Sequence, residues 1–148
     1  MTSQLNVDTI VDKAGSGGSN VKMANTSTYV SDGGAVSQNT VQGLAKAWNY
    51  FDGTGTVAID NSFNVSSLVD SSTGQYASVF TNNMLATQYP NTGHSRHDGG
   101  VNALFSTSNK DLYPPITSSC GIDSFSSDGN QAGTDSDQMS QVIHGDLA

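Results

Sequence analysis

Hydrophobic and polar positions alternate most clearly between residues 38 and 90. In TVAIDNSFNV, Val57, Ile59, Phe63 and Val65 share one parity while Thr56, Asp60, Ser62 and Asn64 share the other, the period of a half-buried β-strand. KAWNYF precedes it as a second β-rich run. Between them lies Asp52-Gly53-Thr54-Gly55, whose two glycines can take positive φ, which predicts a hairpin. Leu68 and Val69 break the parity, predicting a bulge or corner. The turn formers Asp70-Ser71-Ser72-Thr73-Gly74 and a third strand, QYASVF, follow. The expected unit is an antiparallel meander of three strands, within a stretch, 38–90, that holds the single Trp, three of the five Phe and three of the five Tyr.

On either side the signals are weaker. Leu5, Val7, Thr9 and Val11 share a parity and Ile10 takes the other, so residues 4–12 read as a strand apolar on both faces. AGSGGSN, residues 14–20, has the composition of a linker, and 21–30 carries a weak strand pattern. Val41, Leu44, Ala45 and Trp48 are spaced as one face of a short helix of one or two turns. Pro90 ends pairing, and 91–100 reads as a polar, glycine-bounded loop. Val101, Ala103 and Phe105 mark another strand, Pro114-Pro115 an extended or edge segment, and GIDSF and QMSQVIHG two more strands around a loop over 126–137. A total of about seven to nine short strands with turns between them predicts a mainly β chain, an antiparallel β-sandwich or barrel-like head.

Composition changes this picture in one respect. Apolar residues make up 34% of the 148 and charged residues 12%, too little of the first for a self-sufficient globule and too little of the second for a charged disordered chain. Ser, Thr, Asn and 16 Gly fill the gap, as expected of β surfaces whose apolar area is buried by neighbouring subunits. All 13 acidic residues are Asp, which favours turns over helices. A net charge of −8 with five scattered basic residues argues against nucleic-acid binding. MTSQLNVDTI has neither a basic region nor an apolar block, so the expectation is synthesis in a cytoplasm without a secretory signal or membrane insertion.

Candidate chemistry is sparse. His94-Ser95-Arg96-His97-Asp98 puts two imidazoles and a carboxylate within five residues, a set that could meet on a metal if the loop turned helically but that fits a surface recognition loop, or plain solvent-exposed polar residues, better. Asp128-Gly129-Asn130 and Asp135-Ser136-Asp137 are faintly similar to calcium loops without the closing Glu, and Asp capping its own turn explains them more simply. Cys120 stands alone as a small semi-buried residue with no base beside it. No nucleophile elbow or zinc motif occurs, so neither an enzyme nor a cofactor is expected. Trp48, Tyr50 and Phe51 could stack on sugar rings, but adjacent aromatics on a strand fit a core or a subunit interface better.

AKAWNYFDGTGTVAIDNSFNVSSLVDSSTGQYASVFTNNM resembles a module that recurs in tail-fibre and related structural proteins of tailed bacteriophages, marine ones especially. SQLNVDTIVDKAG and VIHGDLA are similar to the beginning and end of such chains. The resemblance implies a homotrimeric virion protein located in a tail or fibre. An extended N-terminal arm and linker, 1–37, would attach to other tail or capsid proteins, and a β-rich head, 38–148, would attach to the bacterial surface without catalysis. The partner would be a host glycan or outer-membrane protein. On this reading His94, Arg96, His97, Lys110 and Tyr113 bind the receptor, and Trp48, Tyr50, Phe63 and Val65 form the core or subunit interface. The alternative is a structural or decoration protein that joins tail or capsid components without touching a host.

Overall fold

A computed structural model describes residues 28–30, 37–41, 43–97, 103–106, 114–126 and 132–148. The expected strand over 4–12 and the linker over 14–20 lie outside them, as do Lys110 and Tyr113. The chain divides into two compact units, Met1–Val41 and Gln42–Ala148. In the first, β1 (Thr28–Val30) pairs antiparallel with β2 (Ser37–Asn39).

The second unit is built from β3 (Ala45–Asp52), β4 (Ala58–Phe63), β5 (Val65–Ser72), β6 (Gln75–Phe80), β7 (Asn91–Arg96), β8 (Ala103–Ser106), β9 (Ser119–Ser126) and β10 (Gln138–His144). They form two four-stranded sheets, in the orders β4-β3-β10-β7 and β5-β6-β9-β8, with every neighbouring pair antiparallel. The protein is therefore mainly β, with no helix among the described residues. Side chains from both sheets meet in shared clusters, an arrangement consistent with the expected sandwich. One cluster joins Ala47 and Ile143 of the first sheet to Val65, Phe80 and Cys120 of the second, together with Met84. The other joins Phe51 and Met139 to Tyr76 and Ile122, with the Phe51 and Tyr76 rings edge to face at 5.3 Å. Each fully buried large side chain contributes about 1.5–3 kcal/mol of hydrophobic stabilisation.

Between these apolar clusters runs a polar seam. Asn49 Nδ2 donates to Ser78 Oγ across the sheets at 2.7 Å, and that hydroxyl donates to Gln141 Oε1 at 2.7 Å. All three residues are buried. Sliding one sheet over the other would strand these groups at about 1–3 kcal/mol each, so the seam fixes register as well as filling space.

Three expectations need correction. Residues 45–48 are not helical: pairing of β3 with both β4 and β10 overrides the helical spacing, and Leu44 is left 60% exposed. The meander does not lie in one sheet either. The run over 56–65 breaks at Asn64, which has φ of 56°, and the chain crosses there from β4 in the first sheet to β5 in the second. Finally, residues 91–96 of the supposed loop form β7, a polar strand at the edge of the first sheet, where only alternate side chains need to be buried.

A bulge explains a fourth difference. Phe51 pairs with Ile59 but Tyr50 pairs with Asn61, so one extra residue is inserted in β4. The insertion flips the parity, and Phe63 points outward, 52% exposed, although Ile59 packs against the core. The corner itself is laced by one side chain. Asn64 Oδ1 accepts from Asn82 N at 2.7 Å, and its Nδ2 donates to Lys46 O at 3.0 Å and lies 3.1 Å from Asn82 O. Asn64→Ala should lower the unfolding free energy by about 2–3 kcal/mol, from lost hydrogen bonds and a strained φ. Urea denaturation with an unchanged m-value checks this, and Asn64→Gly should cost less because it relieves the strain.

Candidate functional site

The outer face of the first sheet collects most of the side chains singled out from the sequence. Ala47, Asn49 and Phe51 of β3 point inward, so Trp48 and Tyr50 point outward. Register then sets the rows. Phe63, Trp48, Val142 and Thr92 stand side by side across β4, β3, β10 and β7, and Asn61, Tyr50, Ser140 and His94 form the next row. Arg96 lies beyond His94 on the same face, with Gln138 as its register partner. With strands about 4.8 Å apart and alternate residues about 6.8 Å apart, the face is an aromatic half on β3 and β4 grading into a polar, cationic half on β7.

Exposure along this face is uneven. Tyr50 is 38% and Phe63 52% exposed, Trp48 is half-buried, and His94 and Arg96 are exposed. Lys46, on the same side of β3, is covered, and burial lowers its pKa while the charge of Asp146 partly offsets that. Its ammonium donates to Leu44 O at 2.8 Å.

The four residues read as core or interface therefore separate: Val65 belongs to the core cluster, and Trp48, Tyr50 and Phe63 form the outer aromatic patch. Of the five receptor candidates, His94 and Arg96 share the outer face of β7, His97 follows the strand half-buried, and Lys110 and Tyr113 fall outside the described residues. His94 and His97 do not converge as a helical turn would bring them together, because positions three apart in extended chain face opposite ways. Among the described residues no group of three His, Cys or Asp side chains could hold a metal.

Sequence reasoning missed a strap over residues 132–136, which lies within the loop expected at 126–137. It runs along the end of the second sheet, where Thr134 N bonds Ser124 O and Ser126 N bonds Ala132 O, both at 2.9 Å. Asp135 Oδ1 accepts from Gly74 N at 2.7 Å and from Tyr76 Oη at 2.8 Å, and Ser136 O accepts from Gly53 N, just past the end of β3, at 2.9 Å. The Asp135 carboxylate is thus a structural acceptor. Burial, then the Asp135 hydrogen bond, raises the Tyr76 pKa and keeps the phenol neutral. Gly53 is required by close approach: a Cβ there would lie 2.6 Å from Tyr76 Oη.

Cys120 is enclosed in the core, and Asn91 Nδ2 donates to its sulfur at 2.8 Å. Burial pushes the thiol up to about 11, against the opposing effect of the polar side chains beside it, Tyr89, Asn91 and Gln141. Such a thiol is a poor nucleophile at neutral pH. A groove of about 170 Å³ lies between Met84, Leu85, Tyr89 and Gly145-Asp146. It is below the usual size of a ligand pocket, about 300–1,000 Å³.

Comparison with known proteins finds no matching family model, curated protein or solved structure.

The buried thiol makes a pH prediction. Its pKa is raised in the folded state, so its contribution is fully present below the unfolded value of about 9 and is lost as pH rises through about 11. This thiol alone should lower the unfolding free energy by about 2–3 kcal/mol over that window. Cys120→Ala should flatten this part of the curve in denaturant titrations between pH 8 and 11, whereas an unchanged slope would contradict the assignment.

Proposed function

We propose that this chain is a non-catalytic attachment protein of the tail-fibre type that its sequence resembles, assembled as a homotrimer of sandwich heads with residues 1–37 as the arm that joins other virion proteins. The observation that carries the reading is the outer face of the first sheet. Its aromatic half, Trp48, Tyr50 and Phe63, suits packing against a neighbouring copy, as a chain with 34% apolar residues needs. Its other half places His94 about 10 Å and Arg96 about 12 Å from Tyr50, two strands away, at the border of that contact. A receptor bound there would meet three equivalent copies, and linked sites raise effective concentration, so weak single contacts add up to firm adhesion.

A connector role is the second reading. It draws on Leu85 and Ile116, 62% and 44% exposed, which lie near Tyr89 and would suit joining to another component.

Light scattering on the purified chain should give three times the monomer mass, and Trp48→Ser with Phe63→Ser should shift it to monomer. A stable monomer of the unaltered chain at micromolar concentration would overturn the assembly. His94→Ala with Arg96→Ala should leave the mass unchanged and reduce binding to host cells at least tenfold. Undiminished cell binding with intact trimers would remove adhesion at this face and favour the connector.

A further inference from the structure

The polar seam in the interior has more hydrogen-bonding capacity than the protein itself fills. Asn49 of β3 and Gln141 of β10 are register partners on the first sheet, and Ser78 of β6 and Cys120 of β9 are register partners on the second. Ser78 links the two amides, and Asn91 reaches the Cys120 sulfur. Asn49 Oδ1, Gln141 Nε2, Asn91 Oδ1 and Ser95 Oγ remain buried without a protein partner. Asn49, Gln141 and Ser95 are 2%, 1% and 7% exposed.

Ser78 Oγ bonds one atom of each amide, and the other polar atom of each, Asn49 Oδ1 and Gln141 Nε2, has no protein partner. Asn91 and Ser95 lie two residues to either side of Gly93, and Gly93 is the register partner of Gln141 on β7. Gly93 is exposed and brings no side chain to the sheet edge at this level.

We propose that this seam is a built hydration site: water entering past Gly93 bridges Asn49, Gln141, Asn91 and Ser95 and is held there as part of the folded structure. The unfilled atoms are two amide oxygens, an amide nitrogen and a hydroxyl, all neutral and of mixed donor and acceptor character. That set fits water, which donates and accepts, better than an ion of either sign. At about three hydrogen bonds per buried water, on the order of one or two molecules satisfy it.

The test uses the full chain as it is, labelled with nitrogen-15, and reads rotating-frame Overhauser contacts between water and side-chain amide protons. The proposal expects contacts of direct-dipolar sign, opposite to exchange, at Gln141 and at Asn91 or Asn49, with nanosecond or longer residence. Their absence from amide protons that are themselves visible and assigned would overturn it. Gly93→Val tests the way in: oxygen-17 relaxation dispersion should then show the bound water exchanging at least tenfold more slowly or lost. Unchanged exchange would overturn that route. Should Gly93→Val fail to fold, Gly93→Ala gives the same comparison, and the unaltered chain still decides whether water is bound.

Discussion

The structure depends on one line of contact, where β3 of the first sheet lies against β6 of the second. Ala47 and Phe80 share one apolar cluster, Phe51 and Tyr76 share the other, and Asn49 bonds Ser78 between them. The order apolar, polar, apolar admits few alternatives. A shift of two residues along the strand would set amides against rings at a cost of about 1–3 kcal/mol per stranded group, a large part of a domain stability of about 5–15 kcal/mol. With so few apolar residues, the chain gains from hydrogen-bond matching a specificity that a larger hydrophobic core would supply by shape.

That economy also explains the surroundings. The Asn64 side chain ties the crossing between sheets to Lys46 and Asn82, and Asp135 ties the other end to Gly74 and Tyr76. Both are polar clamps where a richer sequence could use apolar packing. The exposed Tyr50 and Phe63 are then conspicuous, because a chain short of apolar residues leaves two aromatics outside its core. Under the proposed assembly a second copy would cover them, and His94 and Arg96 would stand at the rim of that contact.

Much of the β architecture was legible in the sequence. The 52–55 connection, the strand over 75–80 and the final strand over 138–144 follow from turn formers and alternation, which are local signals. What could not be read was set by distant pairing. Phe63 shares parity with Ile59, yet an inserted residue in β4 turns it outward. Asn91–Arg96 has no apolar pattern because its inward positions carry Asn91, Gly93 and Ser95, and pairing with β10 makes it a strand. The aromatic residues named from the sequence do fall beside His94 and Arg96, but only the register of four strands brings them to one face. Asp135 looked like a turn former, and its role as acceptor for Tyr76 depends on a partner 59 residues away.

Trp48 is the chain's single tryptophan and sits in the middle of the aromatic patch, so its fluorescence reports directly on whether that face is covered. The decisive measurement is acrylamide quenching of Trp48 over a dilution series that carries the chain from assembly to monomer. The account predicts a blue-shifted, poorly quenched emission at high concentration and a several-fold larger quenching constant once the copies separate. An emission and quenching constant unchanged across the whole series would contradict it, because the face would then carry no neighbouring copy.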